Sequence, residues 1–251
     1  MYLRDIGLYL EYKANKEYIN EVMLTQNLTE EEAKRLDYWE NCKDFHVLFG
    51  DQVRCIARLY TDLLGKFKTE ETKKININCV TDLDKLKSVP KTALGFTEVY
   101  VLIDLESYWK LSNIEKKKVI LKKINEGVLQ AANHFSWDIS IFNRVFKEII
   151  DRDYVNEYSL KQKASPDRKH KAELYCQHDI DFVKISMIIR KRKTNEIIKS
   201  ELLITGRPNE FSFVPKLGEL KWISNSEITL THKYKLRKKW IVKLEEHQTS
   251  L

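Results

Sequence analysis

From Lys171 onward the sequence breaks into short segments of alternating or continuous apolar character, each closed by a few polar residues or a turn-former. Residues 172–177, 180–190, 196–205, 211–214, 220–224, 227–232 and 240–244 all read this way. Strands separated by so little chain pair antiparallel, because a parallel crossover needs about a dozen residues or more. The C-terminal part is therefore predicted to be an antiparallel β meander.

Upstream the periodicity differs. Residues 1–44 read as mostly helical, with Thr29 and Glu32 spaced as a capping box. Residues 45–104 switch to period two: 45–49, 53–60, 75–79 and 99–103 are predicted strands, with Val53, Cys55, Ala57 and Leu59 on one face and Arg54 and Arg58 on the other. Ser112 and Glu115 form a second capping box. Behind it Ile120, Leu121, Ile124, Val128, Ala131 and Ala132 recur at three- and four-residue spacing, and Ile141, Phe142, Val145, Phe146 and Ile149 mark a further helix. Helices early and strands late predict an α+β chain. The expected divisions are a mixed α+β domain over 1–155, a linker over 156–169 marked by Ser165-Pro166-Asp167, and a basic β-rich domain over 170–251.

The charge follows the same division. The net charge of +7 arises wholly after residue 150: up to there 23 basic residues balance 23 acidic ones, and beyond it 21 face 14. The excess is clumped at Arg168-Lys169-His170-Lys171, at Arg190-Lys191-Arg192-Lys193, and at Lys233, Lys235, Arg237, Lys238 and Lys239. Clumped cations attract nucleic acid or an acidic protein surface. We expect the last two clumps to form one exposed binding patch.

Motifs that carry chemistry are scarce. The seven glycines are isolated, which excludes a Walker loop or a dinucleotide fingerprint. The six histidines contain no pair at helical metal-ligand spacing, and Cys42, Cys55, Cys79 and Cys176 lie too far apart in sequence for a zinc or redox motif. We expect reduced, largely buried thiols and no cofactor or metal. His178, Asp179 and Asp181 could contribute to a composite metal site, but a turn explains them better. Cys176 beside His178 reads as a core thiol next to a surface histidine, and Asp104 and Glu106 as a strand-end turn. An acid on one strand and acid-x-Lys on the next would suit a Mg²⁺-dependent nuclease. Glu219 and Lys221 supply the second element, with Glu201, Glu210 or Asp181 as the earlier acid. This is the enzymatic alternative. Lys-Tyr and Lys-Trp pairs at 233–234 and 239–240 leave nucleic-acid binding as another. No apolar run reaches the roughly 18–20 residues of a membrane span, and Met1-Tyr2-Leu3-Arg4-Asp5 lacks a signal-peptide pattern, so a cytoplasmic location is expected.

One stretch resembles a known type of protein. Tyr108-Trp109-Lys110-Leu111-Ser112, Lys116-Lys117-Lys118, Ile124-Asn125-Glu126-Gly127-Val128 and Phe135-Ser136-Trp137-Asp138 are similar to small bacterial immunity proteins, which neutralise toxins by binding them. Its features are structural: a capped helix, a glycine where the helix passes something close, and an aromatic restart. The resemblance transfers no catalytic residue and implies a protein partner. Many immunity proteins are acidic, so the basic half of this chain departs from the pattern and implies either an acidic partner surface or a grip through the other half. The resulting expectation is a non-enzymatic macromolecule-binding protein.

Overall fold

Strict alternation in Lys74-Ile75-Asn76-Ile77-Asn78-Cys79 puts Ile75, Ile77 and Cys79 on one side of a strand, where all three are buried. That strand is the centre of the first of two units in the computed structural model, spanning Met1–Tyr154; the second spans Val155–Leu251. The structure describes residues 1–235 and 237–244. None of the described helices is long and apolar enough to cross a membrane.

The first unit begins with β1 (Tyr2–Leu3) and β2 (Asp5–Leu10), followed by α1 (Lys16–Gln26), α2 (Glu30–Asp37), a π-helical turn at Tyr38–Cys42 and α3 (Lys43–Leu64). Next come β3 (Phe67–Lys68), β4 (Lys74–Val80), β5 (Lys91–Ala93) and β6 (Phe96–Leu102), then α4 (Leu105–Lys110), α5 (Asn113–His134) and α6 (Ile139–Asp151). β2, β4 and β6 run parallel and β5 closes one edge antiparallel, in the order β2-β4-β6-β5. Ile6, Leu8, Val99 and Val101 join the β4 residues on the face covered by α3 and α5, and α6 packs on both helices.

Both capping boxes are formed. The Thr29 N–H donates to Glu32 at 2.9 Å, and the Ser112 N–H to Glu115 at 2.9 Å. Asp138 caps the restart into α6 by accepting from the Ser140 N–H.

Two expectations for this unit are overturned. Residues 45–49 and 53–60 are not strands but parts of α3. Phe49, Val53, Ile56, Tyr60 and Leu64 follow the three- and four-residue spacing of a helix. Over 53–60 the false alternation arises because residues 51–57 are all buried whatever their chemistry, whereas at 45–49 Phe45, Val47 and Leu48 stay exposed. Arg54, read as solvent-facing, turns inward: its Nη1 and Nη2 donate to Asp5 at 3.2 Å. Arg58 pairs with Asp62 one helical turn on. The second correction concerns 1–44. Ile6 and Leu8 alternate with Gly7 and Tyr9, and Asp5–Leu10 forms an edge strand of the parallel sheet before the expected helices begin.

The second unit contains β7 (Glu157–Ala164), β8 (His170–His178), β9 (Val183–Lys191) and β10 (Ile197–Gly206), then α7 (Glu210–Phe213), β11 (Leu217–Trp222), β12 (Glu227–His232) and β13 (Lys239–Lys243). The pairing is antiparallel in two sheets, β10-β9-β8-β7 and β11-β12-β13. One core joins them: Ala172, Leu174 and Cys176 from β8, Val183, Ile185, Met187 and Ile189 from β9, and Leu220, Trp222, Ile228, Leu230 and Val242 from the smaller sheet. β11 runs beside β7, where the Trp222 Nε1–H donates to the Lys163 carbonyl at 3.0 Å. β10, at the other edge, carries two register shifts, at 197/199 and 202/204.

The expected linker is largely strand: β7 occupies most of 156–169. As an edge strand it half-buries only Tyr158, Leu160 and Lys161 and exposes the rest, so its apolar signal is thin. Residues 211–214 are likewise not a strand. Asn209 accepts from the Phe211 N–H, starting a single helical turn, which sends Phe213 into the core and leaves Phe211 65% exposed.

Gly127 explains how α5 can lie on β4. A Cβ placed there would stand 2.7 Å from Ile77 Cγ1 and 2.8 Å from Cδ1. Alanine favours a helix over glycine by about 1 kcal/mol, but overpacking at such a contact costs about 1–3 kcal/mol. Gly127→Ala is therefore expected to lower the urea unfolding midpoint. A midpoint equal to or above that of the parent chain would refute the close approach.

Candidate functional site

The corner where the β7–β8 and β9–β10 hairpins meet is built by backbone pairing. In the first turn Ser165 Oγ donates to Asp167 Oδ1 at 2.6 Å, and the Lys169 N–H donates to the same oxygen at 3.0 Å. Arg168 sits at φ 60° as the chain reverses. In the second turn the Lys191 N–H donates to the Glu196 carbonyl, and Asn195 takes the left-handed position at φ 59°. Register then does the rest: His170 stands opposite Lys191, and Lys171 opposite Arg190. Beyond the last strand pair the Arg192 N–H donates to the Lys169 carbonyl at 2.9 Å, and Arg192 Nη1 to the Arg168 carbonyl at 3.3 Å.

Two clumps separated by some twenty residues of sequence thus become one. The corner gathers Arg168, Lys169, Lys171, Arg190, Lys191, Arg192 and Lys193, against the carboxylates Asp167, Glu173 and Glu196. Arg190 lies 3.7 Å from Glu173, and Lys191 pairs with Glu196 at 2.9 Å. Arg168, Lys169, Arg192 and Lys193 are exposed and have no ion-pair partner among the described residues.

The third clump lies elsewhere. Asn225, in the turn before β12, accepts from the Asp167 N–H, so that end of β12 is at the corner. Lys233, Lys235, Arg237, Lys238 and Lys239 follow the opposite end, about 17 Å away at the rise of an extended strand. Lys238 stands over Trp240 and Lys233 over Tyr234, while His232 stacks on Trp240. Burial, with Lys235, Lys238 and Lys216 nearby, pushes the His232 pKa down, and its Nδ1 accepts from the Tyr234 and Lys235 N–H groups. Leu236, within this turn, lies outside the described residues. The single patch expected from the sequence is thus two surfaces at opposite ends of β12.

The residues of the nuclease alternative are not assembled. Glu219 and Lys221 alternate with the core residues Leu220 and Trp222, so both face solvent. Glu201 is exposed on β10, at the edge of the larger sheet away from the β7 edge that β11 follows. Glu210 is buried at the start of α7. No three His, Cys, Asp or Glu side chains are grouped to hold a metal ion among the described residues. His178 is buried, not superficial, with Nε2 2.9 Å from the Pro208 carbonyl, and Asp179 accepts from the Ile180 N–H in a turn. Asp104 caps α4: Ser107 donates to it from both N–H and Oγ, which lowers its pKa. Cys55, Cys79 and Cys176 are buried free thiols and Cys42 is partly exposed.

The chain matches no family model, no curated protein and no solved structure. The pairing of the 168–171 and 190–193 clumps was within reach of the sequence. Two consecutive hairpins with a register counted outward from Leu174 and Met187 place the tips side by side.

Hydrogen bonds from Ser165 Oγ and the Lys169 N–H, with His170 and Lys169 nearby, hold the Asp167 carboxyl below its ordinary pKa. A pKa depressed on folding means that its stabilisation of the turn is complete above the unfolded value and is lost as pH falls through the folded one. Carbon-detected NMR titration should find Asp167 titrating below the usual aspartate range and returning toward it in Ser165→Ala. An unshifted Asp167 in the parent chain would refute the turn geometry.

Proposed function

We propose that this chain is a non-enzymatic binding protein that docks an acidic surface of a protein partner through the basic corner of its second unit. The observation that carries this reading is the convergence of the two hairpin tips, which leaves four exposed cations without carboxylate partners side by side. Such a cluster on backbone-paired turns is already positioned before binding, which reduces the ordering cost that flexible charged tails incur. Rim charges of this kind speed association and select partners more than they add contact energy. The resemblance to immunity proteins supplies the class of partner, a toxin with an acidic face, and a bacterial cytoplasm as the setting.

Zero-length carboxyl–amine crosslinking in cells, read by mass spectrometry, should join Lys169, Lys191 or Lys193 to Asp and Glu residues of one protein. With that protein purified, Arg192→Glu/Lys193→Glu is expected to weaken binding at least tenfold at low ionic strength, while Lys235→Glu/Lys238→Glu leaves it within twofold. The reverse ranking, or crosslinks only from the 233–239 turn, would overturn the proposal. Plasmid and RNA should remain intact with Mg²⁺ or Mn²⁺. Cleavage abolished by Glu219→Ala would instead establish the nuclease.

A further inference from the structure

Sheets of parallel strands are normally covered on both faces, because their crossover connections lay helices there. In the first unit α3 and α5 cover one face, and the other stays open: Tyr9 is 42% exposed and Phe96 47%. Strand register orders this open face into rows. Gly7 lies beside Asn76 and Glu98, and Tyr9 beside Asn78 and Tyr100. Phe96 neighbours Lys74, and Lys91 of β5 stands opposite Glu98.

Two details fix what the face offers. First, the Tyr9 ring lies along β2 in space that only glycine leaves free; a Cβ on Gly7 would stand 2.8 Å from Tyr9 Cε2 and 2.9 Å from Cζ. Lys74 Nζ pins the ring by donating to its hydroxyl at 2.6 Å, and Asp5 holds that ammonium at 3.0 Å. The ring is thus a fixed, partly exposed plate on the sheet. Second, the middle of the face carries a carboxylate held by two amides. Asn76 and Asn78 each spend an amide N–H on Glu98, at 2.7 and 2.6 Å, while Asn76 Oδ1 is buried and not presented at the surface. A carboxylate has about four lone-pair sites, so Glu98 retains capacity for further donors.

We propose that this open face binds single-stranded nucleic acid, a site separate from the basic corner and independent of the reading given for it. Bases stack on Tyr9 and Phe96, as they do on aromatic rings of exposed sheets. Their ring N–H and amino groups meet Glu98, and Lys87 and Lys91 at the β5 side meet phosphates. A duplex cannot use the site, because its bases are already stacked and paired.

Fluorescence anisotropy of the full chain with labelled 12-nucleotide mixed-sequence DNA and RNA strands, and with the matching duplex, tests this. At least one of the single strands should bind tenfold or more tightly than the duplex. Tyr9→Leu/Phe96→Leu should weaken that binding by tenfold or more, whereas Arg192→Glu/Lys193→Glu should leave it within twofold. No single-strand binding at low ionic strength, equal affinity for the duplex, or loss that follows Arg192 and Lys193 would overturn the proposal. Ultraviolet crosslinking of the parent chain to a 4-thiouridine strand gives a second reading if the double variant does not fold. Adducts at Tyr9, Phe96 or Tyr100 support the site, and adducts confined to other residues refute it.

Discussion

The register between β8 and β9 governs the second unit. Because side chains alternate across a strand, a single setting sends Ala172, Leu174, Cys176, Ile185, Met187 and Ile189 into the core. That same setting puts Lys171, Glu173 and Arg190 on the outer face and brings Arg192 to Lys169 beyond the strand ends. A slip of one residue would bury charge and expose the apolar row, so the core enforces the pairing and the pairing enforces the arrangement of the tips. The charged corner is therefore positioned by hydrophobic burial, and its turn hydrogen bonds and ion pairs are added at the tips.

The first unit rests on a comparable constraint in another form. The absence of a side chain at Gly127 lets α5 settle onto Ile77. Together α5 and α3 then satisfy one apolar face of the sheet, and the residues of the opposite face have to be tolerable in water. Asn76, Asn78, Glu98 and Lys74 meet that requirement, and they bond to one another and to Asp5 and Tyr9 instead of to a second layer of helices.

What the sequence made legible follows from where each signal originates. Capping boxes are local chemistry, and both Thr29–Glu32 and Ser112–Glu115 form as spaced. Helices with one solvent face, α5 and α6, declare their period, as does β4 with one face on the core. α3 did not, since burial of every residue from 51 to 57 erases the polar stripe that identifies a helix, and Arg54 is held inside by Asp5 and the Ile6 carbonyl. β7 failed for the opposite reason, being an edge strand with little to bury. The charge clumps were visible as composition, but which of them meet depends on strand lengths and turn positions. Sequence proximity alone does not distinguish the clump that meets 190–193, which is 168–171, from the one that stands apart, which is 233–239. The open sheet face went unseen because its residues are individually ordinary, and only the register makes them neighbours.

Two sheet margins, one in each unit, carry a further consequence. β10 is broken by two bulges along its length and β5 is only three residues long. An unpaired strand border is a template on which another chain can extend the sheet, unless its spacing is irregular or its run too brief. Both conditions are met here, so neither border offers a regular ladder to a newcomer. Crowded copies of this protein should stay apart at these two borders.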